Sequence, residues 1–171
     1  MNDIFGILTI VLFSGTSLLA FFVAVVLLLP GPITETQKTL EGAGGRSLLL
    51  GLVNFIFFGL LAGVCVWAAE KVGGVLAGIL ILIAGLTLLA LTAFSVIGLI
   101  AVADLLGKRI GSETTQFKNI LRGGGVLILS GLTPYIGWFV FTPLVIWAGL
   151  GAAISTLVRK REKVSSAEET A

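Results

Sequence analysis

An all-α, polytopic bundle of membrane-spanning helices is the fold class this sequence predicts. It divides into three full spans and a C-terminal helical hairpin, the hairpin being a half-helix or short span followed by a full span. Three observations carry this. The chain is 57% hydrophobic before its 23 Gly are added, only 12% charged, and has a mean hydropathy of +1.12. Soluble domains are about 45–50% apolar with Gly included and about 25% charged. The charges are also segregated: Ile4–Thr34, Ser47–Ala69, Val72–Ala103 and Gly123–Val158 contain no Asp, Glu, Lys or Arg, so all 20 charges fall in the other 49 residues. Finally, these stretches are 31, 23, 32 and 36 residues long, and about 20 apolar residues cross a hydrocarbon layer about 30 Å thick. None has the polar face of an amphipathic soluble helix.

The first span is Ile4–Leu29. Its start has no Lys or Arg, and its apolar run exceeds the roughly 7–15 residues of a signal-peptide core, so it reads as a permanent span. Pro30-Gly31-Pro32 ends it, because proline disfavours helix at the residue before it. Ile33–Leu40 reads as a short surface helix that Gly42-Ala43-Gly44-Gly45 breaks. The second span is Ser47–Ala69. Glu70-Lys71 and Gly73-Gly74 then make a very short connection, so the third span, from about Val75 to Leu106, is its antiparallel neighbour. Gly107–Arg122 is the most polar loop, and residues 159–171 read as a disordered polar tail on a single transmembrane domain covering 1–158.

The last apolar stretch is too long for one crossing. As a straight helix its 36 residues would reach about 54 Å. Thr133-Pro134 and Thr142-Pro143 lie inside it, with Gly137 between. Lys plus Arg number 0 before the first span, 2 in Gly31–Arg46, 1 at Lys71, 4 in Gly107–Arg122 and 4 in the tail. Basic loops stay in the cytoplasm. The alternation therefore predicts an N-terminus outside and a C-terminus inside, which requires the last stretch to enter and return. The turn is expected at Pro134–Gly137, with Gly137 free to take positive φ and Pro143 only kinking the final span, Trp138–Val158.

Within the spans, few residues carry chemistry. There is no His and one Cys, Cys65, so neither a Cys/His zinc site nor an intrachain disulfide is expected. No Walker A, GxSxG or HExxH pattern is present. The expectation is no catalytic set, no metal and no cofactor. Asn54 is the strongest polar residue inside a span and is expected to hydrogen-bond across helices. Gly59/Gly63 and Gly74/Gly78 are small-xxx-small pairs, expected to serve intramolecular packing, with an oligomer face as the lesser reading. Asp104, at the end of the third span, is four residues before Lys108, which suits an i,i+4 ion pair. Trp67, Tyr135 and Trp138 fit an interfacial aromatic belt; Trp147 falls mid-span and does not.

Two groups of residues resemble a known arrangement. One is Leu29-Pro30-Gly31-Pro32, a short amphipathic segment, then Arg46 and Gly51. The other is Pro134-Tyr135-Ile136-Gly137-Trp138, followed by Gly149-Leu150-Gly151-Ala152. Together, over Phe21–Leu157, they resemble the small multi-span membrane domain that follows bactofilin-like, polymer-forming domains in bacterial proteins. No segment of this chain resembles the polymer-forming domain itself. The resemblance implies architecture and a bacterial inner membrane, and no activity.

The expected function is that of a non-enzymatic scaffold or accessory subunit. The alternative is a small oligomeric channel or transporter built on the broken C-terminal segment, since interrupted helices line transport sites. Expected partners are the lipid bilayer and either other membrane subunits or further copies of the chain; a net charge of +2 gives no reason to expect nucleic acid. The charge alternation makes a direct prediction. A reporter fused after Ala171 reads cytoplasmic, and one inserted at Gly73 reads outside; a periplasmic C-terminal signal would mean that Gly123–Val158 crosses once.

Overall fold

The computed structural model describes residues 2–111, 115–133 and 135–169. The described residues are helical almost throughout and contain no strand. The elements are α1 (Asn2–Leu28), α2 (Pro30–Val72), α3 (Gly74–Ile110), α4 (Gln116–Gly131), a π-helical turn (Gly137–Phe141) and α5 (Thr142–Glu169). Four segments are long and apolar enough to cross a membrane: Thr9–Leu28, Pro30–Val72, Gly74–Ile110 and Gly137–Arg159. This is the helical bundle of an integral membrane protein. Its outer surface is correspondingly apolar: Phe13, Leu27, Val75 and Leu89 are all more than two-thirds exposed, a surface suited to lipid rather than water.

Helix boundaries follow the local chemistry. Leu29, before Pro30, has non-helical φ/ψ (−131°, 54°), and Pro30 opens α2 at a position where its missing N–H is no loss. Gly73, which alone connects α2 to α3, and Gly74, the first residue of α3, have φ +67° and +63°, a conformation that side chains with Cβ rarely adopt.

The expected break at Gly42–Gly45 is present as a kink: Ala43 (φ −149°, ψ 43°) leaves helical geometry and divides α2 into two helical segments. Each Gly there disfavours helix by about 1 kcal/mol. On the N-terminal side of the kink, Ile33, Thr36, Gln37 and Leu40, one face of the segment, are buried against the bundle. The segment is therefore a packed arm, not a surface helix. Beyond the last span the backbone is helical through Glu169, in keeping with the good helix formers Arg, Lys, Glu and Ala there.

Helix directions follow from which residues meet. Gln37 of α2 reaches Lys108 of α3, the far ends of a hairpin that turns at Gly73. Gly107 and Ala103 of α3 lie against Asn119 and Gly123 of α4. Ser47 and Gly51 of α2 lie against Gly151 and Trp147 of α5. Gly15 of α1 meets Ile128 of α4, and Leu19 and Phe22 meet Gly124. Each of these pairs is antiparallel. So α1, α3 and α5 run one way and α2 and α4 the other, and the chain reverses between α4 and α5, as the charge alternation requires.

The reversal differs in detail from the sequence expectation. Pro134 lies outside the described residues. Positive φ falls at Tyr135 (65°), not at Gly137. Gly137 instead makes a close approach: a Cβ there would collide with the Ser130 carbonyl of α4. Beyond it, the N–H and the hydroxyl of Thr142 both donate to the Gly137 carbonyl, the hydroxyl at 2.7 Å. This five-residue spacing is a π turn, and its extra width accommodates Pro143, whose ring would otherwise clash with the carbonyl four residues back. Pro143 thus lies within the last span, as expected.

The helices are held by glycine contacts, at positions other than those the sequence motifs marked. A Cβ on Gly51 would overlap the Trp147 carbonyl, on Gly151 the Ser47 carbonyl, on Gly98 the Gly149 carbonyl and on Gly123 the Ala103 carbonyl. Gly59, Gly63 and Gly78 have open space at their Cβ positions, and Gly74 serves the turn. Their expected intramolecular packing role is corrected. Gly98→Ala, forcing backbone apart, is expected to destabilise the bundle by about 1–3 kcal/mol. Gly59→Ala is expected to be neutral or to stabilise by up to about 1 kcal/mol. Unfolding in mixed detergent micelles separates the two; equal effects would contradict the packing described.

A candidate functional site at the basic end

Most of the buried polar residues gather where α2 begins, α3 ends and α4 begins; Ser47, against α5, is apart from them. Thr36, Gln37, Asp104 and Asn119 are each no more than 2% exposed. The last third of α3 places Asp104 inward because Ile100, Ala101, Ala103 and Gly107 share its buried side. The α2 arm places Thr36 and Gln37 inward beside Ile33 and Leu40. Gly107, lacking a side chain, lets the α4 backbone at Asn119 close over the group.

Lys108 links the elements. Its Nζ donates to Gln37 Oε1 at 2.6 Å and lies 3.4 Å from Asp104 Oδ2. Gln37 Nε2 in turn donates to Glu41 Oε1 at 3.0 Å. The Asn119 amide stands beside the Asp104 carboxyl. Both Asp104 oxygens are sealed from water and neither makes a hydrogen bond of good geometry, so the ion pair with Lys108 carries its charge compensation. Lys108 keeps its side chain 45% exposed, its head reaching inward from the rim. Thr36 is satisfied within its own helix by the Pro32 carbonyl at 2.7 Å.

The i,i+4 pairing of Asp104 with Lys108 is as expected; the burial of Asp104, 1% exposed, is not what a helix-end pair implies. Gln37 and Asn119 were not singled out from the sequence. The signal for Gln37 was present in the arm, where 33, 36, 37 and 40 fall at the spacing of one helix face. Asn54 is corrected: its Nδ2 donates to the Leu50 carbonyl of its own helix at 2.7 Å. A short amide can bond its own preceding turn and needs no second helix. Gly59 and Gly63 line a shallow groove with Trp67 and Glu70. Trp67, Tyr135 and Trp138 are well exposed, whereas Trp147 is half-buried with its ring 6.5 Å from that of Phe55, a contact between α2 and α5.

Among the described residues no group of three His, Cys, Asp or Glu stands together as a metal site. The arrangement is a charge-compensated polar clamp that ties α2, α3 and α4 together at one end. The class it defines is an all-α polytopic membrane bundle with a closed polar end. Comparison with protein-family models, curated proteins and solved structures found no match.

The clamp yields a prediction. Lys108→Met strands the Asp104 charge; breaking a buried pair costs about 3–5 kcal/mol, less where one partner is wet, so about 1–3 kcal/mol is expected here. Adding Asp104→Asn is expected to restore most of the loss. Thermal unfolding of the single and double variants in detergent checks this.

Proposed function

We propose that the protein is a non-enzymatic scaffold or accessory subunit of a bacterial inner-membrane complex, with its N-terminus outside and its C-terminus in the cytoplasm. The observation that carries this reading is the contact of α2, α3 and α5 at Gly51, Gly98, Gly149 and Gly151. At these glycines α2 and α3 each touch α5 backbone to backbone, which supports a packed bundle over a lined passage. Asn54, the polar residue around which a cavity would be expected, bonds its own helix instead. The Lys and Arg distribution supports the orientation, and the resemblance of the two Pro- and Gly-containing segments supports the bacterial membrane.

A channel or transporter formed by several copies is the second reading. Two observations favour it: the interrupted segment from Tyr135 to Phe141, and a buried carboxylate at Asp104 with incomplete hydrogen bonding.

Extraction from native membranes in mild detergent is expected to recover the chain with another membrane protein in fixed ratio. Liposomes containing the pure chain are expected to pass Na⁺, K⁺, Cl⁻ and H⁺ no faster than empty ones. A flux that Asp104→Asn abolishes in a folded variant would establish the transport reading instead.

A further inference from the structure

Between the α2 arm, the middle of α3 and the end of α5 lies a cleft of about 870 Å³. Its floor is apolar, with Phe94, Ile97 and Leu157, and its rim carries Thr34, Lys38 and Arg159. The volume is that of a small-molecule site, about 300–1,000 Å³. The rim belongs to the basic end of the bundle, where Arg46, Lys108, Arg109, Lys118 and Arg122 also lie.

We infer that this cleft binds an anionic phospholipid, with an acyl chain on the apolar floor and the phosphate between Lys38 and Arg159. Charge complementarity selects this occupant. Among the described residues, Lys38, Arg159 and Glu35 are the charged ones lining the cleft, a net positive set. Among the described residues Lys38 pairs with Glu35, at 3.2 Å, and both side chains are at least 60% exposed. Such a screened i,i+3 pair is weak, so a lipid phosphate competes for Lys38 at little loss. Thr39 and Thr156, whose hydroxyls meet at 3.1 Å, tie the α2 arm to α5 along one wall of the cleft that Lys38 and Arg159 also line. The floor is lined by spanning helices, so a chain enters from the bilayer without crossing water. Basic pockets between helices at the cytoplasmic face are suited to acidic headgroups, whose leaflet is anionic. The inference is independent of the scaffold reading and needs only that the basic end sit at a headgroup layer.

Native mass spectrometry of the detergent-purified chain, titrated with phosphatidylglycerol or phosphatidylcholine of identical acyl chains, tests it. Phosphatidylglycerol is expected to bind more tightly, with Lys38→Gln and Arg159→Gln each weakening it about fivefold. Leu157→Trp, at an exposed position on the floor, is expected to weaken both lipids. Lys118→Gln, at the basic end but outside the cleft, is expected to leave binding unchanged. Equal binding of the two lipids overturns the inference, as does a loss with Lys118→Gln matching that of the cleft variants. Full displacement of phosphatidylglycerol by excess glycerol phosphate would show a headgroup anion site and overturn the lipid assignment. Size-exclusion elution matching the parent chain qualifies each variant as folded.

Discussion

Backbone contact at glycine sets the spacing of this bundle. Gly51 and Gly151 join α2 to α5, Gly98 and Gly149 join α3 to α5, and Gly107 and Gly123 join α3 to α4. In a bilayer, burying a leucine between helices gains little over leaving it in lipid, so association rests on close packing. Missing side chains let the backbones approach until dispersion contacts are made along the whole seam. Everything else is placed by that spacing. Trp147 reaches Phe55 because its own carbonyl already lies on Gly51. Asn119 reaches Asp104 because Gly107 leaves no side chain between α3 and α4.

Two departures from regular helix follow from the same demand. α2 is 43 residues long, about 64 Å at the standard rise, longer than a membrane needs. The kink at Ala43 lets the upper part cross the bilayer while the arm folds Ile33 and Leu40 onto the core. The π turn at Gly137–Phe141 does the corresponding work for α5. It absorbs Pro143 and brings Gly137 against the end of α4, so the chain reverses and still packs both of its arms on α3.

The polar clamp balances this apolar construction at one end. Gln37, Asp104 and Asn119 come from three helices and lie on largely apolar buried faces, while the half-exposed Lys108 reaches in from the rim. Burying them is tolerable only because Lys108 spans the gap between Asp104 and Gln37. A group compensated in this way locks register along α2 and α3, since a slide of one turn would separate the pair from the amide.

The sequence by itself determined the membrane class, the limits of the first, third and last spans to within a few residues, the short α2–α3 connection and the return of the last segment. All of these rest on charge segregation, proline and glycine punctuation and the Lys and Arg count, which are one-dimensional signals. It did not determine which faces meet. Gly59 and Gly63 carry the small-xxx-small pattern and face open space, while Gly51 and Gly98 carry the packing. Asn54 was marked by its polarity and bonds its own helix; Gln37 and Asn119 stood unmarked and are buried. The reason is physical. In a soluble protein the interior face differs from the solvent face in polarity, so the pattern reveals it. Lipid is as apolar as a helix interior, so the packed and lipid-facing sides read alike along the chain, and only the tertiary structure distinguishes them.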